Sequence, residues 1–206
     1  SRISLSNNDG QTGNTIFGHK AANGLTSGGT ATTHNVVIGH EAFDLVTNQG
    51  AGSNVFIGAF TAGGTPTSET DHNIGVGYGS LGALTSGDSN ICIGSSAGVA
   101  ITEEHSIVAI GRNAGAAINN TNADGTVAIG HHALTALTSG AGNVAMGFQA
   151  MSTATTALNS VAVGKHAMKD VKAAVAADGC IAIGSSALYG NSSNDTTIGG
   201  SLSLIH

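Results

Sequence analysis

The feature that most constrains this chain is an eight-residue block that recurs along almost its whole length. The block is clearest as NVVIGHEA at 35–42, NICIGSSA at 90–97 and NVAMGFQA at 143–150. Its glycine recurs every 15 to 21 residues, at 18, 39, 58, 77, 94, 111, 130, 147, 164 and 184, with a degenerate copy at 199. Because so short a unit cannot bury its own apolar face, tandem copies predict a solenoid in which each turn stacks on the next.

Three columns precede the repeat glycine. Residues one and three before it are apolar and mostly β-branched, as in Val36 and Ile38, which is typical of a short strand. Alternate side chains of a strand share one face, so these two columns are expected to line the inside of the coil. The residue between them is then expected to point outward, and an outward apolar column predicts self-association. That intervening column contains Cys92, Ala109, Ala128, Ala145, Ala162 and Ala182.

The residues that follow the glycine complete the predicted turn. A small residue stands three positions after it, as in Ala42 and Ala97, which would let two layers of the coil approach closely. The glycine itself is expected at a sharp bend, where a side chain would clash or φ is positive. We therefore predict an all-β fold, a parallel β-roll or β-solenoid of about eleven rungs at roughly 4.8 Å each. A single domain is expected over 1–206, with repeats from about 14 to 202 and flanking segments at 1–13 and 203–206.

Composition excludes several other classes. With 32 Gly but one Pro and 3% aromatic residues, the chain suits neither a collagen helix nor a core built on large rings. A net charge of −6 without basic clusters argues against nucleic acid as a partner, and no long apolar run predicts insertion into a membrane. The two cysteines are far apart and are expected to be small buried side chains. Because the chain begins at Ser1, we expect a fragment or a processed product.

The motif [Asn/Ser]-Val-Ala-Ile-Gly-x-x-Ala resembles the head repeat of YadA-like trimeric autotransporter adhesins. The longer segment ALTALTSGAGNVAMG at 133–147 is similar to the repeats of bacteriophage and other viral tail-fibre proteins. The resemblance extends over nearly all of residues 14–202. It implies a left-handed parallel β-roll and a homotrimer about a threefold axis, with the small column from Cys92 to Ala182 facing the neighbouring subunits.

The resemblance also implies a function. It favours a structural and host-receptor-binding part of a trimeric viral tail fibre or fibre-like protein, located in the virion and non-catalytic. The expected partners are further copies of the chain, neighbouring fibre or virion proteins, and a glycan or protein receptor on a cell surface. One alternative is the head of a bacterial trimeric adhesin on the cell surface. A further alternative is a capsule-depolymerising tailspike.

Candidate contact residues follow the repeat glycine directly. Aromatic and hydrogen-bonding side chains on a rigid edge suit a sugar- or protein-binding surface, although they could instead pack along the subunit edge. The residues predicted for such contacts are Tyr78, His131, His132, Phe148 and Gln149.

Histidines at the same edge raise the question of a metal site. His19, His40 and His131 come immediately after the glycine, and His132 and His166 one position later. Three copies of one histidine around a threefold axis would offer ligands to a divalent metal. The mixed composition of these two columns is more typical of a solvated edge, so no metal ion and no cofactor are predicted.

Acidic residues offer two other interpretations. An Asp six residues before the glycine recurs as Asp71, Asp88, Asp124 and Asp178, and we expect it to cap loop amides in Asx-type turns rather than to bind Ca²⁺. The pairs Glu69/Asp71 and Glu103/Glu104 would be the acid and base of a depolymerase. Since no cleft-forming insertion accompanies them, no catalytic residue is predicted.

Overall fold

The computed structural model is all-β and describes residues 3–4, 13–25, 32–46, 50–67, 70–171 and 178–189. Within these ranges, no helix is both long and apolar enough to cross a membrane. The strands are β1 (Ile3–Ser4), β2 (Thr15–Phe17), β3 (Val36–Ile38), β4 (Val55–Ile57), β5 (Ile74–Val76), β6 (Ile91–Ile93), β7 (Val108–Ile110), β8 (Val127–Ile129), β9 (Val144–Met146), β10 (Val161–Val163) and β11 (Ile181–Ile183). A short 3-10 helix spans Thr121–Ala123.

The strands form one sheet in chain order, β1 to β11. β1 pairs antiparallel with β2, and every later neighbour is parallel, so β2 to β11 are the successive rungs of a β-solenoid. Each residue pairs with its counterpart one repeat away, as Ala109 does with Ala128. The predicted parallel β-solenoid is confirmed for these ten strands, although β1 was not predicted. The eleventh predicted rung, at Gly199, lies outside the described residues.

The inside and the outside of the roll are the reverse of the prediction. From β3 to β11 the middle residue of each strand is buried within the single chain, whereas the residues on either side of it are partly buried or exposed. The column predicted to contact neighbouring subunits therefore lies in the core of the roll instead, because its side chains face the interior. These residues are Cys92, Ala109, Ala128, Ala145, Ala162 and Ala182, each with a relative exposure of 0%.

Small and large side chains share the interior of the roll. Opposite the strand lies the small column three residues after the glycine, and Ser80 Oγ donates a hydrogen bond to the Cys92 carbonyl at 2.8 Å. Phe56 packs on Phe43 with ring centroids 5.0 Å apart, and Gly75 leaves space beside Phe56, because a Cβ there would lie 3.1 Å from Phe56 Cδ1. Further buried columns lie four and seven residues after the glycine. Their members include Leu81, Leu84, Ile101, Ile118, Leu134, Leu137, Met151, Met168 and Val171.

The repeat glycine meets both expectations stated for it. Across the ten described copies its φ lies between +127° and +147°, in the region that disfavours a side chain. A Cβ on Gly130 would also lie only 2.4 Å from the carbonyl oxygen of Gly147 on the next rung. The glycine is therefore required both by its backbone conformation and by the close stacking of rungs.

A buried ladder of asparagine side chains runs beside the strands, four residues before each of the first five repeat glycines. Asn54 Nδ2 donates to Asn35 Oδ1 at 3.0 Å, and Asn73 Nδ2 donates to Asn54 Oδ1 at 3.1 Å. The same oxygens accept backbone amides, as Asn54 Oδ1 does from the Asn73 N–H at 2.8 Å. The ladder extends from Asn14 to Asn90 and fixes the register of successive rungs.

Candidate functional surface

The solenoid presents two surfaces with the composition of binding sites. The first is the outward face of the parallel sheet, formed by the residues one and three before each glycine and called here the sheet face. Its β-branched side chains recur on every rung from β3 to β11 except at Met146. The most exposed of its large apolar side chains are Phe17, Ile57, Ile93, Met146, Ile181 and Ile183, with 37% to 52% of their surface accessible. An apolar stripe of this length is unusual on a solitary soluble chain.

The second surface is the edge formed by the two residues after each glycine, called here the glycine edge. The second of these residues has a left-handed backbone, with φ near +58° at His132 and +54° at Gln149. Its amide pairs with the rung before, as the Gln149 N–H does with the His131 carbonyl at 2.9 Å. Because the backbone is held in this way on each rung, side chains on the edge stack one above another.

Three of the five predicted contact residues lie together on this edge. The rings of His131 and Phe148 stack almost parallel, with centroids 5.3 Å apart and an interplanar angle of 6°. His132 contacts His131 edge to face at 4.2 Å between centroids. The stack continues through His166 to Tyr189, which the sequence did not indicate as a contact residue. Gln149 is on the same edge and contributes its backbone hydrogen bond.

Tyr78 belongs to a separate aromatic stack. It contacts Phe60 at 5.5 Å between centroids, Phe60 contacts His40 at 5.3 Å, and His40 stacks on His19 at 5.0 Å. Tyr78 is 60% exposed, the highest value among the large apolar and aromatic side chains that are described. The two rungs that carry Ser95 and Arg112 separate this stack from the one at His131. The glycine edge therefore has two aromatic patches rather than one.

Charged groups differ between the two patches. Arg112 Nε donates to His131 Nε2 at 3.1 Å, and burial together with the neighbouring His131 and Arg112 lowers the pKa of His132. At the other patch, Lys20 Nζ donates to Glu41 Oε1 at 2.9 Å. That hydrogen bond raises the pKa of Lys20 and lowers the pKa of Glu41, so the Glu41 carboxyl is ionised at neutral pH.

The aspartate column has a structural role that differs from the predicted one. Asp124 Oδ1 accepts the His105 N–H and Asp178 Oδ1 accepts the Leu158 N–H, each at 2.8 Å. Asp71 accepts the Gly52 N–H in the same way, whereas Asp88 contacts the His105 ring. Each capped amide lies on the preceding rung, so the expected local Asx turn is replaced by a cap between rungs.

Three of the remaining candidate groups, Glu104, Cys92 and Cys180, are buried. Glu104 is 1% exposed and its Oε2 accepts the Thr102 N–H at 2.7 Å, so this carboxylate does not face a surface cleft. Glu69, its counterpart in the other acidic pair, lies outside the described residues. Cys92 and Cys180 are both buried, as expected, and burial raises the pKa of each thiol.

Comparison of the chain with protein-family models, with curated proteins and with solved structures finds no match.

Proposed function

We propose that this chain is the rigid, receptor-binding part of a trimeric viral tail fibre or fibre-like protein. The observation that carries the proposal is the apolar sheet face, which continues from rung to rung and is not covered by any of the residues that the structure describes. Burying branched side chains such as Ile57 and Ile93 against other copies would remove them from water. The resemblance in the repeat supplies the threefold symmetry and the left-handed winding of each roll.

The corrected orientation of the strands strengthens this proposal. Small residues in the core keep each roll narrow, while the larger Ile and Val side chains point toward a neighbour and supply most of the apolar area. Every rung contributes to the interface, so a long and stiff assembly follows from repetition of one contact. The glycine edge stays outside the interface and presents the same kind of side chain several times. Repeated weak contacts then add through avidity.

The assembly is tested by light scattering coupled to size-exclusion chromatography. The parent chain is expected at three times its mass of 20.0 kDa. Ile57→Lys combined with Ile93→Lys places two ammonium groups in the buried interface and is expected to give folded monomers. Leu158→Lys is the matched control, because Leu158 is equally exposed but lies in a return loop, and it should remain trimeric. A monomeric parent, or a trimeric double variant, would contradict the proposal.

Receptor binding is assigned to the aromatic stack at His131 and Phe148. Exposed rings on a rigid backbone suit the apolar face of a sugar ring or a protein side chain. With a fluorescently labelled trimer on a glycan array, Phe148→Ala is expected to weaken binding by about tenfold or more. Ser95→Ala on the same edge, between the two patches, is the control and should bind as the parent does. Equal binding by all three proteins would remove Phe148 from the receptor site.

A further inference from the structure

The aromatic patch that includes Tyr78, Phe60, His40 and His19 contains a set of potential metal ligands. One ring nitrogen of His19, one of His40 and a carboxylate oxygen of Glu41 all lie within 4.8 Å of one another. Both histidines directly follow a repeat glycine, so they occupy the same position on adjacent rungs. Glu41 is the next residue in the chain after His40. Residues separated by 21 positions in the sequence are thus brought side by side by the solenoid.

The backbone at this point is fixed, while the side chains are accessible. The Gly39 N–H donates to the Phe17 carbonyl and the Glu41 N–H donates to the His19 carbonyl, each at 2.9 Å. The two imidazole planes are inclined by only 14°, and both rings are exposed to solvent. The ligand atoms can therefore approach by rotation about side-chain bonds, with no change in the rungs that carry them.

The chemistry of the three groups selects the type of ion. Two neutral imidazoles and one carboxylate suit Zn²⁺, Ni²⁺, Co²⁺ or Cu²⁺, whereas Ca²⁺ and Mg²⁺ prefer sites built wholly from oxygen. Metal–ligand bonds of about 2.0 Å in tetrahedral geometry separate the ligand atoms by about 3.3 Å. The ligand atoms, now up to 4.8 Å apart, would have to approach one another by about 1.5 Å to bind the ion. The fourth coordination position would be left for water.

We propose that His19, His40 and Glu41 bind a divalent transition-metal ion on the glycine edge. This site is formed within one chain, in contrast to a site made from three copies of one histidine around a symmetry axis. It does not depend on the proposed receptor function, because all three ligands come from two adjacent rungs. The bound ion would clamp those two rungs together.

Lys20 provides a built-in test of the ligand set. Its ammonium group lies 2.9 Å from Glu41 Oε1 and so competes with a metal ion for that carboxylate. Removing the ammonium group is expected to free both oxygens of Glu41 and to strengthen metal binding. In the described part of the chain, His131 and His132 of the other patch belong to no comparable group with a carboxylate. His131 is bonded to the cationic Arg112, and His132 lies 3.4 Å from Asn113 Nδ2. They form the matched control.

The experiment is a calorimetric titration of the untagged chain with zinc chloride at neutral pH. One ion per chain is expected, with at least about tenfold weaker binding in His19→Ala, His40→Ala and Glu41→Gln. Lys20→Ala is expected to bind more tightly, and the double variant His131→Ala/His132→Ala as tightly as the parent. Circular dichroism should show the parent fold in each variant, because the substituted side chains lie at the surface.

Three outcomes would overturn the proposal. The first is unchanged zinc affinity in both His19→Ala and His40→Ala. The second is loss of binding in the His131→Ala/His132→Ala control alone. The third is a stoichiometry of one ion per three chains, which would place the ion between subunits. Because the readout is ion binding to the chain itself, a failure of the receptor-binding proposal would leave this result unaffected.

Discussion

At the scale of single residues, the buried asparagines couple the rungs most specifically. Asn73 uses its whole amide: Nδ2 donates to Asn54 Oδ1 and to the Gly87 carbonyl, and Oδ1 accepts from the N–H and the side chain of Asn90. The sequence shows that Asn recurs at this position. It does not show that the amide is buried, because burial of a polar group is tolerated only when all its donors and acceptors are paired. That condition depends on the alignment of neighbouring rungs.

Replacing Asn73 by Ala is expected to lower the free energy of unfolding by about 2–3 kcal/mol. The substitution leaves the Gly87 carbonyl and the Asn90 N–H without their side-chain partner in a region closed to water. Chemical denaturation followed by circular dichroism measures the change. Asn119→Ala is the control, because Asn119 is exposed and its stability effect should stay within about 0.5 kcal/mol. Equal effects of the two substitutions would show that the ladder adds no stability of its own.

At the scale of the strand, the sequence was sufficient for position and register but not for orientation. Every strand from β2 to β11 covers the three residues before a repeat glycine, because the glycine's bend and close stacking leave no other register. The inward face was predicted wrongly because hydrophobicity alone favours burial of Val and Ile over Ala. Strand alternation decides the outcome: because Ala128 faces the interior, its neighbours Val127 and Ile129 face outward and stay partly exposed.

For the candidate surfaces, the sequence likewise predicted the position of the residues but not all of their contacts. The glycine register places His131, Phe148 and His166 on adjacent rungs of one edge, and their ring contacts confirm that placement. The sequence did not reveal that Tyr189 joins this stack, since it stands five residues after its glycine and reaches back to His166. The aspartate caps were assigned to the wrong rung for a related reason. An aspartate that recurs at one position of the repeat is expected whether its carboxylate caps an amide of the neighbouring rung or one within its own loop.

At the scale of the whole molecule, the solenoid is organised along one dimension. Among the described strands, each one from β2 to β11 contacts only its neighbours in chain order. The free energy of unfolding is therefore expected to be a sum of terms for single rungs and for the interfaces between them. A substitution that destabilises one rung should then affect mainly the adjacent rungs. A compact globular core would distribute the same damage more evenly.

Ala145→Arg tests this organisation, because Ala145 is fully buried in β9 at the centre of the narrow interior. Hydrogen exchange monitored by mass spectrometry should show amide protection lost in β8, β9 and β10, with protection in β3 and β4 close to that of the parent. Met146→Lys is the control at the adjacent residue, because the Met146 side chain points outward. This variant is expected to stay folded even if the trimer dissociates, so its amide exchange should remain near that of the parent. Protection lost uniformly from β3 to β11 in Ala145→Arg would show that the rungs unfold as one cooperative unit.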